Sequence, residues 1–208
     1  MWYPILITVL VGYLLGNLNG AVLMSNLMAH EDVRSHGSGN AGLTNFARNY
    51  GGIGSLGVIL VDGGKAVIAC LAGGLMLAPY SMQLEGMAIG GLALMTGHDF
   101  PAFLGFKGGK GILSGCLIAF TIDWRIGALI LGIFALIYLI TGYVSLGSVI
   151  ASATFGAGFA IFHHDNLVVM LCGLTMGVLA VFMHRGNIVR LVKGQERKTN
   201  LFKKGTKK

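Results

Sequence analysis

The chain has 208 residues, 54% apolar and 11% charged, with mean hydropathy +0.75. Soluble domains carry about 25% charged residues, so this composition excludes an ordinary soluble fold. The formal charge of +7 is concentrated, with nine of the fifteen Lys and Arg between Arg185 and the C-terminal end; a polybasic tail against an anionic leaflet accounts for that, and no nucleic-acid partner is expected.

Taken in chain order, apolar runs cover residues 2–27, 53–77, 82–96, 108–122, 126–141, 144–162 and 167–183. About 20 apolar residues cross the hydrocarbon core as a helix, and about 17 suffice at the short end. The third and fourth runs are short, and either can be a half-span that enters and returns where protein or a water-filled cavity satisfies its backbone. The first run has no preceding Lys or Arg and no small-residue cleavage pattern, so it reads as a span and not as a removed signal peptide.

If all seven cross, loops 28–52, 97–107 and 142–143 share one side with the tail. That side then holds thirteen of the fifteen basic groups, leaving Arg125 outside and Lys65 within a span. The positive-inside rule makes it cytoplasmic and the N-terminus external. The expectation is an all-α integral membrane protein of about seven transmembrane helices. It forms one domain over 1–197 with a basic cytoplasmic tail over 198–208, and it is a monomer. Gly12, Gly16 and Gly20, then Gly86 and Gly90, then Gly173 and Gly177 recur four apart and read as helix-packing seams. Cys70, Cys116 and Cys172 sit singly in apolar runs and read as small buried residues, with no metal site or cofactor expected.

The polar residues cluster in the loops of that one side. Gly37-Ser38-Gly39-Asn40-Ala41-Gly42-Leu43-Thr44-Asn45 followed by Arg48 suits an anion: glycines let backbone N–H groups approach, and a guanidinium fits phosphate. An ordinary Gly-Asn turn between helices is the alternative. Gly97-His98-Asp99-Phe100-Pro101 runs on to Lys107-Gly108-Gly109-Lys110-Gly111, where two ammonium groups flank the glycines that open a helix, as a phosphate site requires. Interfacial snorkelling explains such lysines alone, but not His98 or the glycines. A P-loop is excluded, because the glycine spacing is wrong and Gly111 stands where Ser or Thr is needed.

Gly142-Tyr143-Val144-Ser145-Leu146-Gly147-Ser148 reads equally as a helix cap or a ligand contact. His184, Asn187 and Arg190 share a helix face three residues apart, with Gly194 and Glu196 beyond. Asp62 and Lys65 lie within the second run, where ionisable groups are functional or mutually paired; mutual pairing is favoured. His163, His164 and Asp165 fall on an outer turn and receive no role, since their adjacency is poor zinc-ligand spacing.

These four ordered motifs resemble the acyl-phosphate-dependent glycerol-3-phosphate acyltransferases, the PlsY family, over nearly the whole chain. The resemblance implies an acyl phosphate donor, glycerol 3-phosphate as acceptor and 1-acylglycerol 3-phosphate as product. It further implies a bacterial cytoplasmic membrane location with the site facing the cytoplasm, and as partners membrane lipid and an enzyme that makes acyl phosphate. It implies that Ser38, Asn40, Thr44, Asn45, Arg48, Lys107, Lys110, Ser145, His184 and Asn187 line the substrate site, and it favours a substrate phosphate as the base. The reading of the residues themselves adds Gly37, Gly39, His98, Gly108 and Gly109 as substrate-binding and takes His184, Asn187 and Ser38 as catalytic. The chain departs from the family pattern at Gly16-Asn17-Leu18-Asn19, where Ser-x-Pro usually follows the glycine, and at Leu43, where Ala is usual.

An acyl phosphate is already activated, so positioning and charge neutralisation can suffice. None of the six histidines has Asp five positions later, so the H-x4-D dyad of another acyltransferase class is missing. His184 or a substrate phosphate can then take the proton. An anion transporter is the competing class, but only Asp62 and Lys65 look deep in the bilayer. A non-catalytic lipid-binding scaffold needs no pair of phosphate sites.

Overall fold

The computed structural model describes residues 2–198, and every regular element among them is helical. The expected first span is two helices, α1 (Trp2–Asn17) and α2 (Gly20–Ala29). Together they form one membrane-long segment, Trp2–Ala29, in agreement with the apolar run 2–27, and the cause of the break within it is local. Asparagine amides compete for backbone groups. Asn17 Nδ2 donates back to Tyr13 O at 2.8 Å, and Asn19 Oδ1 accepts from Val22 N at 3.0 Å as the N-cap of α2.

A 3-10 turn (Val33–Ser35) and a short helix α3 (Leu43–Tyr50) follow, the latter inside the stretch read as a loop. Then come α4 (Gly52–Leu77), α5 (Gln83–Asp99), α6 (Ile112–Ile122), α7 (Trp124–Thr141), α8 (Val144–Phe162), α9 (Leu167–Met183) and α10 (Arg185–Val192). The last three expected spans agree with α7, α8 and α9 to within two residues. The third extends to Asp99, so His98 and Asp99 stand on the final helical turn and not in the loop. The fourth is shorter than read, because 107–111 runs as non-helical backbone.

Among the described residues four segments are long and apolar enough to cross a membrane: Trp2–Ala29, Gly52–Tyr80, Trp124–Thr141 and Val144–Phe162. Leu167–Met183 with Arg185–Val192, bent by 53°, makes a fifth if taken as one span. The eleven residues of α6 reach only about 16 Å of the roughly 30 Å core. Leu10, Leu14, Leu60, Leu75, Leu139 and Val178 are exposed on the bundle flanks, an apolar belt suited to lipid and not to water.

α5 packs between α1 and α4, and α8 between α7 and α9. The glycine seams explain how close these helices come. A Cβ at Gly12 would stand 2.7 Å from Gly90 O, and one at Gly177 would stand 2.8 Å from Gly156 N, so nothing larger fits either crossing. The main core joins Leu94, Met95, Ile118, Ile126, Phe159 and Met176. A smaller core of Val22, Val33, Phe46 and Val58 seats α3 and the loop before it on α2 and α4.

The two ends of the bundle differ. One end is closed by short polar contacts: Tyr3 with Tyr80 at 2.9 Å, Asn166 Nδ2 with Glu85 at 2.8 Å, and His163 with Asp123 at 3.2 Å. His163, given no role above, thus meets a carboxylate across the far end. The other end carries the motif loops. Residues 199–208 of the expected basic tail lie outside the described residues.

Candidate functional site

A cavity of about 600 Å³ opens at the motif end. Gly37, Ser38, Asn40, Thr44, Asn45 and Arg48 form one wall, Lys110 and His98 a second, and Ser145, His184, Asn187 and Arg190 a third. Ile112, Leu113, Ile130, Leu131, Phe134 and Ala151 continue it as an apolar trough between α6, α7 and α8. Cations and an apolar slot therefore share one hollow, which suits a ligand with an anionic head and a hydrocarbon tail.

The first wall is built around Asn45, only 3% exposed. Its Nδ2 donates to the carbonyls of Val33, His36 and Asn40 at 3.0 to 3.1 Å, and its Oδ1 accepts from Ser38 N at 2.9 Å. Gly39 N donates to His36 O at 3.0 Å. The loop's Ser38 and Gly39 amides are thus turned inward, contrary to the reading that they face an anion. The loop meets the cavity through Gly37, Gly42 and the side chains of Ser38 and Asn40, and α3 opens at Gly42 without a side-chain cap. Asn45 holds the wall together as well as lining it.

The glycines of the second motif also serve packing. Gly108 N donates to Asp99 O at 3.2 Å and Gly109 N to His98 O at 3.1 Å. Neither glycine lines the cavity, so these amides do not form the expected phosphate cradle. A Cβ at Gly109 would strike the His98 ring. His98 Nδ1 in turn lies 3.0 Å from Lys65 Nζ.

The backbone over 107–111 is non-helical, and the two lysines part here. Lys110 enters the cavity and donates to Asn187 Oδ1. Lys107 is exposed and lies with Gly39, Arg34 and Asp32 on a neighbouring hollow of about 500 Å³. Burial pulls the Lys110 ammonium down to about 8, with Arg190 and Arg48 adding to the fall and Glu196 opposing it.

At the third wall, α9 bends into α10 at His184, bringing His184, Asn187 and Arg190 together as their spacing suggested. His184 Nδ1 lies 2.8 Å from Ala180 O. A carbonyl only accepts, so Nδ1 carries the hydrogen and the neutral ring keeps the Nε2 lone pair. Ser145 Oγ is buried at this wall and faces the Glu196 carboxylate, whose charge it helps to hold.

The family model for glycerol-3-phosphate acyltransferase matches residues 6–194. This chain belongs to that family. A glycerol-3-phosphate acyltransferase from Thermoanaerobacter sp. (strain X514) is 38% identical over 192 residues, spanning 92% of this chain and 94% of the relative. One from Prochlorococcus marinus (strain MIT 9312) is 35% identical over 197 residues, spanning 94% and 98%. Among solved structures, PlsY, an integral membrane glycerol 3-phosphate acyltransferase crystallised in its glycerol 3-phosphate form, superposes with TM-score 0.83 at 30% identity. It covers 96% of this chain and 99% of its own. Its lysophosphatidic acid form gives 0.78 at 28%, covering 95% and 96%.

Two features of this acyltransferase escape sequence reasoning. Glu196 accepts from Asn187 Nδ2 at 3.1 Å and from Arg190 Nε at 2.7 Å, fixing both at the cavity edge. Burial works against its charge, but those bonds outweigh burial and hold the carboxyl below its ordinary range. The only signal was a lone acid in a basic segment. Asp62 also lines the cavity, while pairing with Lys65 as expected. No cluster of metal-ligating side chains occurs among the described residues.

Proposed function

We propose that this acyltransferase moves a fatty acyl group from an acyl phosphate to the 1-hydroxyl of glycerol 3-phosphate, giving 1-acylglycerol 3-phosphate and phosphate. The observation that carries this reading is the junction of Arg48, Lys110 and Arg190 with an apolar trough inside one cavity. The cations hold two phosphate groups, one from each substrate, and the trough takes the acyl chain. The PlsY neighbours, crystallised in glycerol 3-phosphate and lysophosphatidic acid forms, support the acceptor and product classes.

The acceptor oxygen bonds to the acyl carbonyl carbon, and the carbon–oxygen bond to phosphate breaks, with the electron pair leaving on phosphate. The hydroxyl proton passes to that phosphate or to His184 Nε2. Asn187, held by Lys110 and Glu196, and Ser38 and Ser145 offer polar contacts to the reacting oxygens. Asn40, Thr44 and Asn45 shape the acceptor wall, while His98, Gly108 and Gly109 act by placing Lys110. Lys107 and Gly39, on the neighbouring hollow, lie outside this core.

In this reading one domain over 1–197 sits in the bacterial cytoplasmic membrane as a monomer. The N-terminus is external, and the motif end and the 198–208 tail are cytoplasmic. Seven segments make the crossings, α1 with α2 counting once and α6 being the short one. Membrane lipid and an acyl-phosphate-producing enzyme are the partners.

The deciding experiment gives purified protein labelled glycerol 3-phosphate with acyl phosphate, acyl-CoA or acyl carrier protein in turn. Product from acyl phosphate alone is expected; product from acyl-CoA alone would overturn the donor assignment. Cysteine-labelling from either side of the membrane at positions 36 and 106 tests the topology, and both must react from the cytoplasmic side.

A further inference from the structure

Two asparagines stand at the break between α1 and α2, Asn17 closing the first helix and Asn19 capping the second, and their side chains reach in different directions. Asn17 Oδ1 accepts from Phe103 N at 3.1 Å, in the loop that leads to Lys110. Asn19 Nδ2 donates to Ala41 O at 3.0 Å, in the loop that carries Ser38 and leads to Arg48. The two asparagines are 5% and 3% exposed, and neither lines the cavity. Each spends its other amide atom locally, Asn17 on Tyr13 O and Asn19 on Val22 N.

The anchorage is itself rigid. Lys65 donates to the carbonyls of Gly16 and Leu18, and Asp62 Oδ1 accepts from Gly20 N at 3.0 Å, so the backbone on both sides of the gap is fixed to α4. The two loops otherwise come from segments about sixty residues apart and carry the cations of opposite cavity walls. Arg34 joins the two loops directly at their outer edge, its Nη1 donating to Leu104 O at 2.8 Å and Lys107 O at 3.2 Å, and the two asparagines add a buried attachment of both loops to one point.

We propose that Asn17 and Asn19 are positioning residues for acyl transfer, clasping the Ser38 loop and the Lys110 loop to one point so that both walls grip the acceptor phosphate together. The proposal rests on the function given above. It also separates the two asparagines by mechanism: Asn17 acts as an acceptor and Asn19 as a donor.

Asn19→Ser keeps an oxygen to cap α2 but is too short to reach Ala41 O. Asn17→Ala removes the acceptor for Phe103 N, and Asn17→Asp retains it. Asn19→Ser and Asn17→Ala are each expected to raise KM for glycerol 3-phosphate about tenfold while kcat stays within about threefold, the scale of one buried hydrogen bond. Asn17→Asp should keep KM within about twofold of wild type, as an intact acceptor requires. Amide exchange read by mass spectrometry should quicken over residues 33–42 in Asn19→Ser and over 100–107 in Asn17→Ala.

Unchanged KM, with kcat falling only in step with the folded fraction, overturns the proposal, and so does unchanged exchange in both loops. If the wild type transfers no acyl group, the function above falls, and the clasp stands or falls on the exchange measurement alone.

Discussion

Lys65 and Asp62 meet at 2.8 Å, both side chains 3% exposed, and together they bridge the interruption in the first membrane segment. The lysine sits at the carbonyl end of α1 and the aspartate at the amide end of α2, where each charge opposes the local helix dipole. A helix break buried among other helices leaves backbone groups without water, and the pair supplies their partners.

Removing one member strands the other. Lys65→Met is expected to lower stability by about 3–5 kcal/mol, because it leaves a buried carboxylate unpaired. Thermal unfolding in detergent reads this, and the double variant with Asp62→Asn should regain part of the loss. A single variant melting at the wild-type temperature would remove the pair from the account of the break.

Gly109→Ala drives a methyl into the His98 ring, which then has to leave Lys65. A loss of about 1–3 kcal/mol is expected from such overpacking. Gly132→Ala in α7 meets no atom within 4 Å and serves as the control, with stability near wild type. Equal melting temperatures for the two variants would count against the packing role of Gly109.

The Lys110 ammonium, lowered to about 8, gives a pH dependence of definite sign. Below that value the side chain is charged and holds phosphate; as pH rises through it the charge is lost. kcat/KM for glycerol 3-phosphate should therefore decline above about pH 8. Lys110→Arg keeps its charge throughout, so its profile should be flat over the same interval. A decline unchanged in Lys110→Arg would assign the titration to another group.

Arg48 and Lys110 line the main cavity whereas Lys107 faces the neighbouring hollow. Arg48→Ala and Lys110→Ala should each lower kcat/KM on the order of 100-fold, the loss of a charged hydrogen bond, and Lys107→Ala by less than about tenfold. Steady-state kinetics on folded, membrane-inserted protein decide it. A Lys107→Ala loss as large as that of Lys110→Ala would place Lys107 on the substrate path.

The amino-acid sequence by itself determined the helical membrane class, the ends of α7, α8 and α9, and the grouping of polar motifs at one end. Hydrophobic length and the spacing of loops are local properties, written in consecutive residues. Periodicity also marks α3: Leu43, Phe46 and Tyr50 fall on one face of it, and Phe46 is fully buried. Only the tertiary structure decided which groups face the cavity. Lys107 and Lys110 are three residues apart, yet they line different hollows. The Ser38 amide donates to the Asn45 side chain on α3, that of Gly39 to His36 O within the loop, and those of Gly108 and Gly109 to carbonyls at the end of α5. The departures from the family pattern at Asn17 and Asn19 likewise gain meaning only from Phe103 and Ala41, partners 86 and 22 residues away. A hydrogen bond between distant segments depends on how helices cross, and no local pattern records that.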